Sequence, residues 1–69
     1  MISQSNVKAH NDKVAIAESA RQAAVVGASQ TAIITAEITF YRAVISSAIA
    51  NNVDTASALS ALKSLGVTA

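Results

Sequence analysis

Few side chains in this sequence could carry chemistry: one histidine, four carboxylates, no cysteine and a scatter of hydroxyls. His10 and Asp12 lie together in "AHND". Residues i and i+2 do not face each other on a helix, so the pair is poorly placed for metal binding or acid–base work. A solvated first helical turn is the expectation there. No base and orienting group can be assembled around the serines and threonines with a single imidazole. Neither glycine sits in a phosphate-binding loop. One histidine without cysteine excludes the usual structural zinc sets. The expectation is no enzyme, no catalytic residue, no metal and no cofactor.

Glu37 is the one charged residue whose position demands an explanation. It falls near the middle of an apolar arc, beside Ile33, Tyr41, Val44 and Ala48. A carboxylate in such a place must be paired, hydrogen-bonded or protonated. If the chain turns around Ser29, position 37 mirrors position 21, which is arginine. An Arg21–Glu37 ion pair that fixes helix register is therefore expected. The open alternatives are a carboxylate that reaches solvent at a rim, or one that meets a basic group on another subunit. Phe40 and Tyr41 are the only aromatics. They point about 100° apart on a helix and read as core or subunit contact, being too few for a base-stacking platform.

The elements that would hold these residues are helices. There is no proline and there are only two glycines, Gly27 and Gly66, whereas a β-rich fold needs frequent turn residues. A first helix is expected over about 6–26, with Ser5 or Asn6 as its cap and the residues before it frayed. On it Ala9, Ile16, Ala17, Ala20, Ala23 and Ala24 share a face of methyl groups, against which a neighbouring helix could come close. A second helix is expected over about 31–50. Its β-branched residues fail strict alternation at Ile33–Ile34 and Phe40–Tyr41, so its period is helical. A bulky half carries Ile33, Ile34, Ile38, Phe40, Tyr41, Val44, Ile45, Ala48 and Ile49; Ser46 and Ser47 fall on the other half with Arg42 and the threonines. A short third helix is expected over about 55–65, with Asp54 as N-cap and Gly66–Val67 as a Schellman ending.

"GASQ", residues 27–30, can be a turn, or one helix of over about 40 residues can run through it, since glycine costs only about 1 kcal/mol in a helix. On one continuous wheel the methyl and bulky faces are rotated by roughly 110°, which a straight helix packing on one partner would avoid. The reading is a single small all-α domain over 1–69: a hairpin of two long helices and a short third one.

Composition narrows the function. Hydrophobic residues are 52% of the chain and charged ones 13%, about half the usual share, so something else is expected to cover part of the surface. A net charge of +1 without a basic stripe gives nucleic-acid binding no support. The first residues lack a signal-peptide pattern, so synthesis in the cytoplasm is expected. Ile33, Ile34, Glu37, Ile38, Phe40, Tyr41, Val44 and Ile45 form the expected protein interface. The function expected is structural: a helical subunit that forms a homo-oligomer or docks into a larger assembly, with a phage virion as the natural setting. Two rivals are a membrane-active, holin-like lysis peptide and a small regulator that binds a groove on a larger protein. Against the former, any span through the second helix contains Glu37 or Arg42.

Overall fold

The computed structural model describes residues 4–67. Three helices form: α1 (Gln4–Ala24), α2 (Gln30–Ala50) and α3 (Ala56–Ser64). The fraying expected over the first two to four residues falls on positions 1–3, outside those described, and on Gln4, which is already helical. Ser5 and Asn6, expected as caps, lie inside α1.

The first two helices are separate. Gly27 takes φ +63°, a left-handed conformation that L side chains adopt only with strain, and the chain reverses there. Ala28 N–H bonds the Val25 carbonyl at 3.2 Å to close the turn. Ser29 then caps α2, its side chain accepting from Ala32 N–H at 3.2 Å. Cross-helix contacts of α1 with α2 make this the antiparallel hairpin.

The two later helix ends share one solution. Val53 N–H bonds the Ala48 carbonyl at 2.8 Å, and Val67 N–H bonds the Leu62 carbonyl at 3.0 Å. The residues between, Asn52 at φ 61° and Gly66 at φ 79°, are left-handed. Both are Schellman endings, one built on asparagine and one on glycine. Asp54 misses the cap position by one residue: Thr55 occupies it without a side-chain bond, while Asp54 Oδ1 accepts from Ala56 N–H at 3.1 Å.

α3 packs on α2 and not on α1, so no third helix lies across both long helices. The molecule measures 41 × 23 × 12 Å. The accessible surface is 4714 Å² for 7.0 kDa, against about 4,000 Å² for a compact chain of that mass. Among the described residues the only buried apolar side chains are Ala48, Ala58 and Leu62, where α3 crosses the end of α2.

α1 turns toward α2 a stripe other than its methyl face. Its half-buried residues are His10, Val14, Ala17, Glu18, Arg21 and Val25, with Asn6 at the start. Ala9, Ile16, Ala20, Ala23 and Ala24 are exposed. A methyl face buries little apolar area, so a stripe with two valines and the long stem of Arg21 wins the contact.

Candidate functional site

Two places on the molecule combine unusual residues with unusual geometry. The first is a polar clamp at the end of the hairpin away from the turn, the end that α3 closes. His10 Nδ1 lies 2.9 Å from Ser47 Oγ. Asn51 Nδ2 donates to the Ser47 carbonyl at 2.9 Å and reaches its Oγ at 3.4 Å. Ser47 is 9% exposed, the one buried polar residue among those described. The Ser47 hydroxyl can donate to Nδ1 or accept from it, according to the imidazole tautomer.

Neither end of this clamp behaves as the sequence reading expected. His10 is not a solvated first-turn residue; Asp12, its neighbour, is the exposed one, bonded to Lys8 at 2.9 Å. Ser47 belongs to the half of α2 expected to face outward, yet it is buried. Pattern on one helix cannot reveal a contact set by the register of two. The signal was nonetheless available: reflection about Ser29, which sets 21 against 37, sets 10 against 48, one residue from the observed partner.

A serine hydroxyl beside an imidazole is the geometry of a nucleophile and its base. Here the hydroxyl is enclosed, and no carboxylate is bonded to the far side of the ring among the described residues. The arrangement ties α1 to α2. Among the described residues no group of three or more His, Cys, Asp or Glu could hold a metal ion.

The expected Arg21–Glu37 pair is not formed. Arg21 bonds Glu18, one turn back on its own helix, with Nε 3.0 Å from Oε2 and a second contact from Nη2 to Oε1. The guanidinium also lies over the Phe40 ring, 5.7 Å from its centroid, and Phe40 meets Tyr41 edge-on at 5.1 Å. The bonds with Glu18 hold the Arg21 pKa above its ordinary value and, with Gln22, hold Glu18 below its own. Glu37 acts on Arg21 only as a nearby charge that favours the cation. A partner at i−3 is already positioned by the helix backbone, so pairing with it orders less chain than pairing across the hairpin.

The second place is a groove between α1 and α2 on one broad face. Its main hollow, 730 Å³, is lined by alanines of both helices and threonines of α2, with Arg21 and Phe40 at its wall. A smaller hollow of 460 Å³ continues it toward the closed end, past Ile16, Ala20 and Ala43. The exposed methyl face of α1 and the small-residue half of α2 thus meet in one trough. Of the eight residues expected at an interface, Ile34 is exposed and the other seven, including Glu37 and Tyr41, are half-buried within the chain. Periodicity located the bulky arc; that the open trough would lie beside it depended on how α1 is rotated.

No family model matches this sequence, and neither a curated protein nor a solved structure does.

Proposed function

We propose that this chain is a non-enzymatic structural subunit, a small helical piece that completes its core against another protein surface in an oligomer or larger assembly. The observation that carries this reading is how little the fold buries: three apolar side chains among the described residues, and an accessible surface of 4714 Å² against about 4,000 Å² for a compact chain of this mass. Large apolar residues stand in solvent on both long helices, Ile16 at 66% and Ile49 at 69% exposed, and Val26 in the turn at 81%. Ordering a chain costs about 1–2 kcal/mol per residue in backbone entropy, and so small a core offsets little of it. A second protein surface supplies the missing burial. A multi-copy particle such as a phage virion suits a subunit of this kind.

Thermal unfolding followed by circular dichroism across a hundredfold range of concentration tests the reading. The expected result is a midpoint that rises with concentration. A sharp, concentration-independent transition in a monomer, within the range of about 45–65 °C usual for stable domains, would overturn it.

A second reading rests on α2 alone. Its 21 residues are long and apolar enough to cross a membrane, and only a small part of that stretch is buried. At about 1.5 Å per residue it matches a hydrocarbon core of about 30 Å. Co-sedimentation with phosphatidylcholine–phosphatidylglycerol vesicles decides between the two. Lipid-bound protein favours the membrane reading; protein left in the supernatant removes it.

A further inference from the structure

We draw no further inference here: the strongest candidate, the alanine-lined groove between α1 and α2, is an open apolar surface, and nothing in the structure shows what covers it.

Discussion

The two ends of the hairpin are built to different standards. At the closed end α3 crosses α2, Leu62 is fully enclosed, Ala48 and Ala58 are buried beside it, and His10, Ser47 and Asn51 bond across the helices. At the turn end, around Gly27–Ser29, no described residue is buried and Val26 stands 81% exposed. The same two helices run through both regions. What differs is a third element: nine residues of α3 are enough to enclose a side chain, and where they end, burial ends. Helix propensity alone does not stabilise the turn end, because most helical stability in proteins comes from packing an apolar face. The open trough beside that end is where such packing remains to be made.

This contrast can be broken from either side. The largest effect should come from Leu62→Ala, which empties the centre of the core where α3 meets α2. A loss of about 2–5 kcal/mol is expected, enough to unfold a chain this small. Urea titration read by circular dichroism would show it, and a variant as stable as the wild type would mean the closed end is not the anchor. His10→Ala should rank next, at about 1–3 kcal/mol, since it leaves the buried Ser47 hydroxyl without its cross-helix partner. The same titration checks it. Ser29→Ala acts at the other end. It removes the cap of α2 and should cost about 1 kcal/mol, read as faster amide exchange confined to the first turn of α2.

The smallest effect is electrostatic. Glu18 has its pKa lowered by Arg21 in the fold, so its contribution is present above the ordinary carboxylate value of 4.5 and is lost as pH falls through the lower folded value. A slight drop in melting temperature below about pH 4.5 is expected, absent in Glu18→Gln. The pair is partly solvated, which keeps the drop small.

Much of the closed end was legible from residue types. Gly66 with Val67 marked the end of α3, and Ala58, Ala61 and Leu62 marked its packing face, because these signals are local. The turn at Gly27 was legible from the rotation between two faces. The clamp and the trough were not. They depend on the rotation of α1 about its axis, and an alanine face fits inward or outward almost equally well. The stripe that packs was disguised by holding a histidine and an arginine. Arg21 was singled out correctly as a residue at the hairpin seam, but a glutamate one turn away outcompeted the one across the seam.

A turn end finished by a second surface must gain protection when the protein associates. Native-state amide hydrogen exchange, run at low and at high protein concentration, measures that directly. The prediction is that protection in Ala17–Ala24 and Gln30–Phe40 rises steeply with concentration, while protection around Ala48 and Leu62 changes less. Equal protection at both ends, unchanged by dilution, would contradict it.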